Sequence, residues 1–147
     1  MRKLLILILA FSTFLIAEDY KYEPVANKAE YFMGKFNKNK DMDDLLKWGD
    51  KFVDWMDDKS AWDSMQTAVF TPYFSDDMQR VDYVWLNLWP SSGEQYGAID
   101  QWLREGGSMM SSLPVTNERV VDVWQWAISA PDGEAGENGF VRFTECT

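Results

Sequence analysis

Between residues 41 and 58 the apolar positions recur at steps of three and four: Met42, Leu45, Leu46, Gly49, Phe52, Val53 and Met56, with Asp43, Asp44, Lys47, Asp50, Lys51, Asp54 and Asp57 on the remaining surface. That is the period of an amphipathic helix with one buried stripe. Asp41 stands where a side-chain N-cap is needed, and acids occupy the first turn. The pattern predicts a helix from Met42 to Asp58. Further along, the period drops to two. Val81 to Trp89 (VDYVWLNLW) sends Val84, Leu86 and Leu88 to one side and Tyr83, Trp85, Asn87 and Trp89 to the other. The purely aliphatic side is the one expected to lie under helices. Glu30–Phe36, Gln66–Phe74 and Val120–Ile128 read as further strands from their β-branched and aromatic content, with Pro72 pushing the second towards a sheet edge or bulge. After Pro90, Ser91 and Glu94 form an S-x-x-E capping box, Tyr96, Ile99, Trp102 and Leu103 supply an apolar stripe, and Gly106-Gly107 ends the second helix near Glu105. Ser108–Asn117 and Pro131–Gly139 read as loops, and Phe140–Thr144 as a short fifth strand.

The resulting order, β-α-β-β-α-β with a short C-terminal strand extension, is the split βαβ or ferredoxin-like arrangement of the α+β class. It lacks the consecutive parallel crossovers of a doubly wound sheet. The N-terminus has a different character. Met1-Arg2-Lys3 precedes a thirteen-residue apolar-rich run, Leu4 to Ile16, and then Ala17-Glu18-Asp19. This is the cationic, apolar and small-residue sequence of a secretory signal peptide, and it falls short of the roughly 20 residues that a spanning helix needs. Residues 1–17 are therefore expected to be a cleaved signal peptide, with an uncleaved N-terminal anchor as the rival reading, 18–28 (EDYKYEPVANK) a lead-in segment, and 29–147 a single domain. The expected location is periplasmic or extracellular, with no stable membrane insertion after cleavage.

Charge and residue chemistry narrow the functional classes. Cleavage removes Arg2 and Lys3 and no acid, so the formal charge moves from −10 to −12. Such a surface repels phosphate backbones, and no Lys/Arg cluster offsets it, so nucleic acid is not an expected partner. The chain has no His and one Cys, Cys146. Ser-His-Asp and Cys-His nucleophile systems, His-containing zinc sites and thiolate clusters are thereby removed. The acidic loop Asp132, Glu134, Glu137 and Asn138 departs from EF-hand spacing and reads as solvated, as do Asp54, Asp57, Asp58 and Asp63 around the first helix. No metal and no cofactor is expected. Eight Trp, nine Phe and six Tyr supply the packing instead.

The first strand EYFMGKF, the helix DDLLKWGDKFVDWM and the passage VWLNLWPSSGEQYGAIDQWL resemble the dimeric α/β-barrel superfamily, which includes antibiotic-biosynthesis monooxygenase-like and NIPSNAP-like domains. The resemblance covers about Glu30 to Ile128 and rests on element order and aromatic strands. It implies a homodimer of two facing sheets, with pockets between each sheet and its helices. Its haem-handling members use a His ligand, which this chain lacks. Asn and Trp on strands recur in the oxygenase-like members, so Asn87, Trp85 and Trp89 are the positions that carry over.

Tyr83, Trp85, Asn87 and Trp89 form either a core or dimer-interface face or a pocket wall, in which rings stack a ligand and Asn87 orients it. Trp124 and Trp126 could extend the same wall or face the opposite way. Arg104 is the nearby cation in sequence that could hold an anionic group. The expected function is an exported ligand-binding or interaction protein of the cell envelope, with an aromatic-lined pocket for an apolar or aromatic small molecule. The alternative is a cofactor-independent oxygenase acting on an electron-rich aromatic compound.

Overall fold

The computed structural model describes residues 26–73, 80–127, 139 and 141–144. Residues 1–17, expected as a signal peptide, the acidic loop candidates Asp132, Glu134, Glu137 and Asn138, and Cys146 lie outside the described residues. The elements are β1 (Asn27–Phe36), α1 (Met42–Met56), a 3-10 turn (Ser60–Trp62), β2 (Gln66–Phe70), β3 (Tyr83–Trp89), α2 (Ser92–Glu105), α3 (Gly107–Ser111) and β4 (Val115–Gln125). The four strands form one sheet in the order β2-β3-β1-β4, every neighbouring pair antiparallel. The molecule is thus α+β, and its order is compatible with the ferredoxin-like arrangement. Among the described residues no helix is long and apolar enough to cross a membrane.

The capping chemistry explains where the helices start. Asp41 accepts from the Asp44 backbone N–H at 3.1 Å while the Asp44 carboxylate accepts from the Asp41 N–H at 3.3 Å, a reciprocal box. Ser91 caps α2 by accepting from the Glu94 N–H at 3.3 Å. Here the Glu94 carboxylate takes the Ser91 hydroxyl at 2.8 Å rather than its backbone N–H, so the expected box is only half formed.

Several expectations need correction. The buried stripe of α1 is Leu45, Trp48 and Phe52, whereas Leu46 and Val53 are exposed. Stripes fitted to aliphatic residues rotate away from a sheet that is lined with rings. On α2 the inward residues are Gln95 and Ala98, flanked by the partly buried Ile99 and Trp102, while Tyr96 and Leu103 face out. Ser108–Ser111, expected as loop, belong with Gly107 to α3, and β4 begins at Val115 rather than Val120. The expected C-terminal strand is absent from residues 141–144, and Phe140 lies outside the described residues. Instead of joining a sheet edge, Phe143 packs edge-on against Tyr31 of β1 and Phe70 of β2, at centroid distances of 5.9 and 6.3 Å.

The largest correction concerns which face of β3 lies under the helices. Tyr83, Trp85 and Trp89 pack with Leu45, Trp48, Phe52 and Trp62 in the core, so the aromatic side faces α1 and α2. The aliphatic side (Val84, Leu86, Leu88) takes the opposite face of the sheet beside Ala29, Tyr31 and Met33 of β1 and Ala68 and Phe70 of β2, where Val84 and Leu86 are also buried. Two glycines make the approach possible. A Cβ on Gly34 would sit 1.9 Å from the Thr116 carbonyl oxygen, at the bulge where the β1–β4 register shifts. A Cβ on Gly49 would sit 3.3 Å from Trp85 Cη2, so α1 lies with its backbone close over that indole.

Candidate functional site

Six of the eight tryptophans gather between the sheet and the helices: Trp48, Trp55, Trp62, Trp85, Trp89 and Trp102. Phe52 sits at their centre. It stacks on Trp48 (5.2 Å, 13°) and meets Trp62 and Trp102 nearly at right angles (5.4 Å, 88°; 5.5 Å, 86°). Trp48 also crosses Trp85 at 5.8 Å and 77°. Edge-to-face contacts favour the ring quadrupoles, but planes crossing at right angles leave wedge-shaped gaps. Beside this cluster lies a cavity of about 320 Å³. That is within the range of small-molecule sites, roughly 300–1,000 Å³.

Four of the five candidate residues line it: Tyr83, Trp85, Asn87 and Trp89. Arg104 does not. It stands on the outer side of α2, paired with Asp100 one helical turn away at 2.8 Å. No Lys or Arg is among the lining residues. Trp124 and Trp126 are half exposed on or just beyond β4 and take no part in the wall. Asp54, Asp57, Asp58 and Asp63 are exposed, as a solvated face requires. Among the described residues no group of three or more His, Cys, Asp or Glu side chains could hold a metal ion.

Three polar groups of the wall, Asn87, Glu30 and Asn117, are held by indoles and a phenol. Trp85 Nε1 donates to Asn87 Oδ1 at 2.8 Å, and Thr67 Oγ1 lies 3.1 Å from the same oxygen. Because an indole N–H can only donate, this contact fixes the amide orientation and directs Nδ2 away from Trp85. Trp89 Nε1 donates to Glu30 Oε2 at 3.0 Å. Tyr83 donates its hydroxyl to Asn117 Oδ1. Burial pushes the Tyr83 phenol up to about 12, and the nearby Glu118 charge adds to the shift. Trp48 Nε1 donates to the Met109 carbonyl at 3.1 Å, tying α3 to α1.

Glu30, Phe32, Asn117 and the helix residues Trp48, Phe52 and Trp102 line the cavity without having been singled out from the sequence. Glu30 carried a signal. It shares the inward side of β1 with Lys28 and Phe32, opposite Tyr31 and Met33, so two charges occupy the buried face of an aromatic strand. Compared with models of known protein families and with curated proteins, the chain matches none.

Proposed function

We propose that this is an exported ligand-binding protein of the cell envelope that holds an apolar or aromatic small molecule in the cavity beneath α1 and α2. The observation that carries the reading is the cavity itself: about 320 Å³, walled by tryptophans and phenylalanines, with Asn87, Glu30 and Asn117 among its polar groups. Apolar walls with a few oriented polar groups are the composition of a binding site. Titration of tryptophan emission with a panel of aromatic small molecules tests it. Saturable quenching is expected, and it should disappear in Ile99→Trp, which fills the cavity from α2. Linear quenching throughout the panel would discard the proposal.

The cavity beside Asn87 also supports a second reading, a cofactor-independent oxygenase acting on an electron-rich aromatic compound. Oxygen uptake with phenolic probes that is lost in an Asn87→Leu variant still able to bind them would support it. No uptake with any phenol discards this reading and leaves binding in place. The homodimer of the resemblance belongs to the same proposal, two sheets meeting through the outer face that carries Tyr31, Met33, Val121 and Val123. Sedimentation of the chain decides, and a monomer discards the paired sheets.

A further inference from the structure

We infer that the ligand is an organic cation, a quaternary or protonated amine on an aromatic or aliphatic body, with its charge at the Glu30 end of the cavity. This rests on the ligand-binding reading and adds the ligand's chemical class. Glu30 is 6 % exposed and lines the cavity. Among the described residues its carboxylate receives one hydrogen bond, from the neutral indole of Trp89 at 3.0 Å. A carboxylate offers about four acceptor sites, and an indole brings no charge to balance it.

The neighbours deepen that deficit. On β4 the residue opposite Glu30 is Asp122. Like charges directly across an antiparallel pair repel. Lys28 serves Asp122, its Nζ 2.7 Å from Oδ1 and 5.1 Å from the Trp124 ring centroid. Gln95 Nε2 also donates to Asp122, at 3.1 Å. One ammonium thus stands against two carboxylates, and the one left to a neutral donor faces a volume lined with rings. Ring faces are electrostatically negative and attract an ammonium, most strongly where water is excluded. A neutral aromatic ligand would fill the walls and leave the Glu30 charge buried without compensation. An anion would meet a carboxylate and ring faces, with no cation in the lining. The net charge of −10 draws cations towards the molecule as a whole.

Two probes of the same shape test this: phenyltrimethylammonium and its neutral isostere tert-butylbenzene, titrated by tryptophan emission into the full chain and into Glu30→Gln. The cation should bind roughly tenfold tighter or more in the wild type, and Glu30→Gln should bring the two probes level. If the isostere binds the wild type as tightly as the cation, the inference is overturned while the pocket stands. If neither probe saturates while another member of the aromatic panel does, the inference is overturned and the pocket stands; if no member saturates, the pocket falls with it. A preference that survives Glu30→Gln overturns the assignment of the charge to Glu30. The wild-type ratio decides the ligand class even if the variant does not fold.

Discussion

Asn87→Leu separates what the amide does for the scaffold from what it does for a ligand. Asn87 Oδ1 takes the Trp85 N–H at 2.8 Å and lies 3.1 Å from Thr67 Oγ1. With leucine in place, the Thr67 hydroxyl still has the Leu86 carbonyl at 3.0 Å. The Trp85 N–H has no such alternative among the described residues, and Trp85 is only 9 % exposed. Leaving a buried donor unpaired costs about 1–3 kcal/mol. The isobutyl group recovers part of that through its apolar surface, about 0.8 kcal/mol per buried methylene. A net loss of about 1–2 kcal/mol is expected. For a small domain this lowers the urea midpoint by about 0.5–1 M. Urea unfolding followed by both emission and far-UV circular dichroism measures it and tests two-state behaviour. The cause is isolated by a double-mutant cycle with Trp85→Phe, which removes the N–H beforehand. In that background Asn87→Leu should cost about 1–2 kcal/mol less, since the volume lost with the indole is common to both arms. Equal costs in the two backgrounds, within about 0.3 kcal/mol, would refute the claim that Asn87 carries the indole.

Gly34→Ala places a Cβ 1.9 Å from the Thr116 carbonyl, so the β1–β4 pairing must shift; a loss of about 1–3 kcal/mol is expected, with faster amide exchange in β4, and an unchanged urea midpoint would contradict it. Tyr83, held at about 12, should ionise well above an unperturbed phenol near 10 in a spectrophotometric titration. Its folded-state value lies above its unfolded one, so its contribution to stability is complete below about pH 10 and is lost as the pH rises through about 12. Glu118→Gln should lower the Tyr83 value only in part, because burial is the larger cause. Phe143→Ala removes the edge contacts with Tyr31 and Phe70 and should cost about 0.5–1.5 kcal/mol, with increased binding of a hydrophobic dye to the outer sheet face; no change in either would mean that the segment does not hold that face in solution.

Local chemistry made much of the fold legible. Asp41 and Ser91 announce their helices because a capping side chain answers to the next three residues alone. The alternation of β3 fixes which residues share a side. Signals that depend on distant partners were not legible. The start of β1 at Asn27 is set by Lys28 pairing with Trp89 and with Trp124, and the early start of β4 by Phe36 and Lys35 pairing with Val115 and Thr116. Gly106-Gly107 does stop α2, but α3 follows at once because Trp48, sixty-one residues earlier, holds the Met109 carbonyl.

Alternation names the two faces of β3 but not which one lies under the helices, and both are apolar and largely buried. What decides is the size of the partners. On the aliphatic side Val84, Leu86 and Leu88 lie beside Ala29, Tyr31, Met33, Ala68 and Phe70 of the neighbouring strands. The aromatic side meets Trp48, Phe52 and Trp62, which bury far more area per residue. Helices rich in rings therefore settle on the ringed side, and the cavity lies among those rings. Lys28 and Glu30 point under the helices while Tyr31 and Met33 point out, against the binary rule for a half-buried strand. Local rules are broken most often where a site needs it. Here the break puts a carboxylate, held by one indole, at the wall of the aromatic cavity.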